Sequence, residues 1–195
     1  MNSRRIKSLV AALCALVAAV AVSACGNTSS QTTTGTYAGE SGKNAPYLHV
    51  GPLVYEVQLS RELNPANNED AAYLKGLTPA QALLKPGEEW FAVFMQVRNP
   101  TNLPRPATPN ITIEDTQNNR YLPIIPGPTN EFAYRAELVP ANSLIPVPGT
   151  PASRGGTNGQ LLLYKIKTTS LNNRPIEVRI IDPVTGKEAK AILDV

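Results

Sequence analysis

The densest run of side chains able to do chemistry is "SRELNPANNED" (60–70), where Arg61, Glu62, Asn64, Asn67, Asn68, Glu69 and Asp70 crowd together. Carboxylate and amide oxygens at that density are what a hard cation such as Ca²⁺ takes, about six to eight at a time. The spacing does not follow the EF-hand loop, and the same residue types also cap turns and helix starts. The stretch therefore has two readings, a structural loop or a binding loop for a small ligand or calcium. His49 is the single histidine. A serine–histidine–acid triad would need it, yet no Gly-x-Ser-x-Gly elbow supplies a nucleophile. The acid pairs Glu88-Glu89 and Glu114-Asp115 are adjacent in sequence. On a strand such neighbours point to opposite faces, so neither pair makes a catalytic dyad. Trp90, beside Phe91, reads as core rather than as an exposed ligand platform. Arg174 reads as a structural partner for Asp182 or Glu177. The expectation is a protein that is not an enzyme, with no cofactor and no metal set.

The other reactive group is the thiol of Cys25. "MNSRRIK" carries Arg4, Arg5 and Lys7 and no acid, and an apolar run of roughly 15 residues follows, too short for a spanning helix of about 20. Basic head, apolar core and small-residue exit describe an export signal. The exit, Val22-Ser23-Ala24-Cys25, closely resembles the lipobox of bacterial lipoproteins. That resemblance implies a diacylglycerol thioether on Cys25, cleavage just before it, and attachment to the cell membrane on its extracytoplasmic face. Two long acyl chains, at about 0.8 kcal/mol per buried methylene, hold firmly where one holds marginally. Cys14 lies inside the apolar core and leaves with it.

Removing residues 1–24 takes away three of the 18 Lys and Arg, which leaves 15 against 15 Asp and Glu. A mature chain near neutrality has no surplus of cations for phosphate, so nucleic acid is not expected as a partner. It also lacks a polybasic grip on anionic lipid. With Cys25 acylated no thiol remains for a disulfide or a cysteine zinc site. Residues 25–44 are the lipidated cysteine followed by Ser, Thr and Gly with little to bury, and read as a disordered tether. Residues 45–195 suit a single domain.

The elements that must position these groups are strands. In "LVYEVQLS", Leu53, Tyr55, Val57 and Leu59 alternate with polar positions, which predicts a half-buried strand with those four on one face. "WFAVFMQVRN" (90–99) is apolar on both faces and predicts a central strand. "ITIED", "QLLLYKIKT", "PIEVRII" and "AKAILDV" alternate, and "DPVTGKE" supplies a tight turn between the last two. "TPAQALL" (78–84) predicts a short helix capped by Thr78 with Pro79 in its first turn and Gln81 completing the box, and "EDAAYL" (69–74) a further turn of helix. "NPTNLPRPATPN" and "PANSLIPVPGTPASRGG" predict long surface loops stiffened by proline. Short strands with Pro- and Gly-rich connections predict an all-β antiparallel sandwich with one or two connecting helices.

A strand ending "QVRNP", then a loop, then "ITIEDTQNNRYLP", resembles the immunoglobulin-like domain of unknown function found in many lipoproteins of Gram-positive bacteria. Asn99-Pro100 and the stretch from Asp115 to Tyr121 carry the likeness. The resemblance implies an immunoglobulin-like sandwich and brings no catalytic residues with it. The expected function is a non-catalytic interaction or accessory module of the envelope, with an envelope protein as its partner. The alternative is a small-ligand or calcium carrier using the 61–70 loop; an envelope hydrolase fits least.

Overall fold

The computed structural model describes the backbone of residues 30–33 and, with side chains, residues 47–154 and 157–193. It is an immunoglobulin-like sandwich of two main sheets. Its strands are β1 (Ser30–Thr33), β2 (Tyr47–Val50), β3 (Leu53–Leu63), β4 (Glu88–Asn99), β5 (Arg105–Pro106), β6 (Ile111–Glu114), β7 (Arg120–Tyr121), β8 (Leu138–Val139), β9 (Ser143–Ile145), β10 (Gln160–Lys167), β11 (Ile176–Ile181) and β12 (Glu188–Leu193). One sheet runs β1-β12-β11-β6-β7. The other runs β10-β4-β3-β2, with β9 also on β4, and β5 and β8 form a separate small ribbon. Among the described residues the named strands pair antiparallel except where β1 joins β12 in parallel, Ser30 opposite Glu188, and an isolated bridge from Ala133 to Leu161 is also parallel.

Period-two patterning decides what faces what. Tyr55, Val57, Phe91, Val93, Met95 and Tyr164 look inward from one sheet, and Ile111, Ile113, Val178, Ile180 and Ala191 from the other. Burying each large member contributes roughly 2 kcal/mol. The intervening residues of the β6/β11/β12 sheet form a charged solvent face. There Glu114 pairs with Arg120 and Arg179, and Arg179 also with Glu188.

The β3/β4/β10 sheet is buried on both sides, which is why "WFAVFMQVRN" is apolar throughout. Trp90, Ala92, Phe94, Leu161 and Leu163 make a second core on its outer face. Two short helices cover it, α1 (Asn68–Tyr73) and α2 (Pro79–Ala82). Tyr73 packs edge-on against Phe94 and Phe132, with ring centroids 5.0 and 4.9 Å apart. The capping box at α2 is present in full, with Thr78 N–H donating to Gln81 Oε1 and Gln81 N–H to Thr78 Oγ1. Trp90 is core, and Lys165 Nζ lies 5.2 Å from its ring centre.

Several expectations are corrected. Leu59 does not share a face with Leu53, Tyr55 and Val57. The register with β4 slips between Val57 and Leu59, and this bulge turns Leu59 to the outer core. Ser30–Thr33, read as tether, pair with β12; the rest of 25–44 and all of 1–24 lie outside the described residues. Arg174 donates from Nε to the Leu171 carbonyl at 2.8 Å rather than pairing with Asp182 or Glu177. The proline-rich stretches are not wholly superficial: Asn99, Ala107, Thr108, Ile145 and Ala152 are buried.

Candidate functional site

The 60–70 loop closes on itself. Asp70 is buried and reaches back across the loop to an ion pair with Arg61, and its Oδ2 accepts the Asn64 N–H at 2.7 Å. Burial pushes the Asp70 carboxyl up, but the Arg61 and Asn64 donors outweigh it and hold it below the usual carboxylate range. Asn67 Oδ1 caps α1 by accepting the Glu69 N–H at 2.8 Å. Asn64 Oδ1 accepts the Ala66 N–H at 3.0 Å, and Tyr73 donates its hydroxyl to Glu69 at 3.3 Å. Asn68 opens α1 and is exposed. The structure thus brings Arg61, Asn64, Asn67, Glu69 and Asp70 together in turn and cap bonds, the geometry of the structural reading. Among the described residues no three His, Cys, Asp or Glu side chains gather in one cluster. His49 lies on the exposed side of β2. Cys25 lies outside the described residues.

The same end of the sandwich is organised by Asp115. Its Oδ1 accepts the Gln117 and Asn119 N–H groups, both at 2.9 Å, and its Oδ2 accepts Ser170 Oγ–H at 2.6 Å and Asn119 Nδ2–H at 2.8 Å. Burial raises this carboxyl, but the donors from Ser170, Asn119 and Asn173 hold it at about 2, down from 3.8. Tyr121 and Ser170 share a hydrogen bond of 2.7 Å, so the β6–β7 turn is locked to the segment after β10. Asn99, fully buried, does similar work at the opposite end. Its Nδ2 donates to the carbonyls of Leu103, Val139 and Pro140, and its Oδ1 accepts from Thr101 N–H at 3.0 Å. Asn99 and Asp115, each at the head of a stretch that carried the likeness, are therefore joints between segments. Asn130 is a third, missed in the sequence. It ties the end of α1 to the 126–133 stretch through the Tyr73 and Lys75 carbonyls, at 2.8 and 2.9 Å.

At the end away from Asp115 the surface is concave. The β2–β3 turn, β5 and the β11–β12 turn enclose a cavity of about 280 Å³, walled chiefly by Val50, Pro52, Leu53, Pro106, Pro183 and Val184. Gly51 has φ +57, and a Cβ there would stand 3.2 Å from Asp182 Oδ2, so the turn needs glycine to sit against the opposite wall. Asp182 accepts from the Val184 N–H at 3.0 Å and the Thr185 hydroxyl at 2.6 Å. The Thr185 hydroxyl comes first in holding its carboxyl below the usual range, against the opposing effect of burial and with the Val184 N–H adding to it. Thr108 donates to the Ile181 carbonyl at 2.8 Å, and its N–H donates to Tyr55 Oη at 2.8 Å. Arg105 differs from these neighbours: its Nε is buried and has no hydrogen-bond partner among the described residues. Sequence reading missed Arg105 because "LPRPAT" has no periodicity, and only the pairing of β5 with β8 places it on this wall. A second hollow, beside Pro109 and Ile124, holds about 30 Å³, room for little more than one water.

No family model matches the sequence, and no curated protein matches it. Solved structures do resemble it. YjhA of Bacillus subtilis superimposes with a TM-score of 0.50 at 10% identity, over 76% of this chain and 97% of that one. An uncharacterised β-sandwich protein of Clostridium difficile gives 0.43 at 9% identity, over 83% and 95%. YcdA of Bacillus subtilis, described there as a candidate lipoprotein, gives 0.44 at 8% identity, over 76% of this chain and 38% of its own. At these identities the likeness is one of fold.

Proposed function

We propose that the chain is a lipoprotein, moored by diacylglycerol on Cys25 to the extracytoplasmic face of the cell membrane, whose immunoglobulin-like sandwich serves as a non-catalytic interaction or accessory module of the envelope. The observation that carries this is Val22-Ser23-Ala24-Cys25 placed directly after a basic head and an apolar core. The sandwich supports it. At the Asp115 end, Asp70, Asn67 and Asp115 are engaged in turn, cap and inter-loop bonds, which suits a scaffold. β1 adds a positional consequence. Ser30 is five residues beyond Cys25 and lies opposite Glu188, so a moored chain keeps that strand end within about 17 Å of the acylated sulfur. The test is metabolic labelling with a palmitate analogue. The natural chain should take up label and sediment with membranes, and Cys25→Ser should do neither. Label and membrane association that survive Cys25→Ser would overturn the proposal.

A further inference from the structure

The cavity beside Arg105 has the composition of a small-molecule site: apolar walls with one charged group left to recognise something. Its volume, about 280 Å³, admits a compact organic molecule and not a folded partner. The polar groups on its wall are otherwise engaged. Asp182 is held by Val184 and Thr185, Thr108 by Ile181 and Asn110, and Tyr55 by the Thr108 N–H. Arg105 alone among the charged and polar side chains of this wall makes no ion pair and no side-chain hydrogen bond among the described residues. Its guanidinium is therefore free to meet an acceptor that a ligand brings, as a charge-assisted hydrogen bond. A guanidinium presents its N–H groups as a planar fork that matches a carboxylate. Asp182, the acid on the same wall, forms no ion pair with Arg105, so the positive charge is not already neutralised there. Val184 and Pro183 stand exposed at the β11–β12 turn and extend the apolar surface beyond the mouth.

We infer that this cavity binds a small apolar carboxylate, with the hydrocarbon body against Leu53, Pro52, Pro106 and Val184 and the carboxylate on Arg105. The inference does not depend on lipidation: binding is read at the sandwich and anchoring at Cys25, so either can fail alone. It also moves the ligand site to the end of the molecule opposite the 61–70 loop.

The experiment uses the mature lipoprotein in nanodiscs, with empty nanodiscs as the blank, and ligand-observed ¹⁹F NMR. The probes are 4-(trifluoromethyl)phenylacetate, its neutral primary amide and 4-(trifluoromethyl)benzylamine. The acid should bind, the amide should bind about tenfold more weakly or worse, and the amine should not bind, as a charge-assisted hydrogen bond predicts. Arg105→Met, which keeps the apolar bulk, should reduce the acid to the level of the amide. Arg105→Lys, which keeps the charge without the fork, should fall between. Equal binding of acid and amide by the natural protein, no binding of the acid above the blank, or full acid binding by a folded Arg105→Met protein would each overturn the inference. The acid–amide comparison needs no variant, so it stands even if a substitution fails to fold.

Discussion

Asp115 and Arg105, at opposite ends of the sandwich, carry their charge in opposite ways. At one end Asp115 and Asp70 are enclosed by donors, which close their own turns and, through Ser170 and Asn173, join the Asp115 turn to the segment after β10. At the other end Arg105 is set into an apolar wall with its Nε unmet. A saturated buried charge fixes a conformation, whereas an unsaturated one lowers stability until something binds. The difference teaches where bonds are already made and where they are not: the crowded polar stretch spends its donors and acceptors on its own turns and cap, while Arg105 keeps its guanidinium unpaired among the described residues.

The comparison is broken most forcefully at Asp115. Asp115→Ala strands the N–H groups of Gln117 and Asn119 and cuts the Ser170 bond that joins the turn to the segment after β10, and should cost about 3 kcal/mol of unfolding free energy in urea titrations. A loss below about 1 kcal/mol, the scale of one ordinary net hydrogen bond, would remove Asp115 from its place as the joint of that end. Next in size is Asp70→Ala, which removes the ion pair of Arg61 and the acceptor of the Asn64 N–H and should cost about 2 kcal/mol by the same measurement. Added calcium should not restore the stability of that variant, nor raise the melting temperature of the natural protein. A calcium-dependent rise that disappears with Asp70→Ala would reinstate the loop as a cation site.

Acid sharpens the contrast. The Asp115 carboxyl is depressed in the folded state to about 2 from 3.8, so its stabilisation is complete above the unfolded value and is lost as pH falls through the interval toward 2. Asp70, Asp182, Glu114 and Glu188 are shifted the same way. Urea midpoints should therefore drop steeply below pH 4, and Asp115→Asn should flatten part of that slope while lowering the plateau at neutral pH. An unchanged acid slope in Asp115→Asn would show that the turn does not depend on the ionised form.

Much of this frame was legible in the sequence, because each long strand has a period to read. The alternation in "PIEVRII" and the double-sided apolar run in "WFAVFMQVRN" state which side of a sheet is buried. α2 was legible through its cap at Thr78, and α1 as a turn of helix whose cap, Asn67, the structure supplies. What escaped was set by tertiary contact. The bulge that turns Leu59 depends on pairing with β4, and β5, β7, β8 and β9 are two or three residues long, too short to show any period. Gly159 is invisible as a constraint until Met95 is seen beside it, where an added Cβ would stand 2.7 Å from the Met95 nitrogen. The Arg105 wall is assembled from three segments far apart in sequence. The 61–70 residues were legible as a cluster, but only coordinates reveal that its members bond to one another.

The smallest expected effect is also the most decisive, since the account turns on Arg105 being spare to the fold. The measurement is the unfolding free energy of Arg105→Met against the natural protein, in the absence of ligand. Replacing an unmet buried donor with an apolar side chain of similar length should leave stability unchanged or raise it slightly. A loss comparable to that of Asp115→Ala would make Arg105 a structural joint like the others, and the contrast between the two ends would be gone.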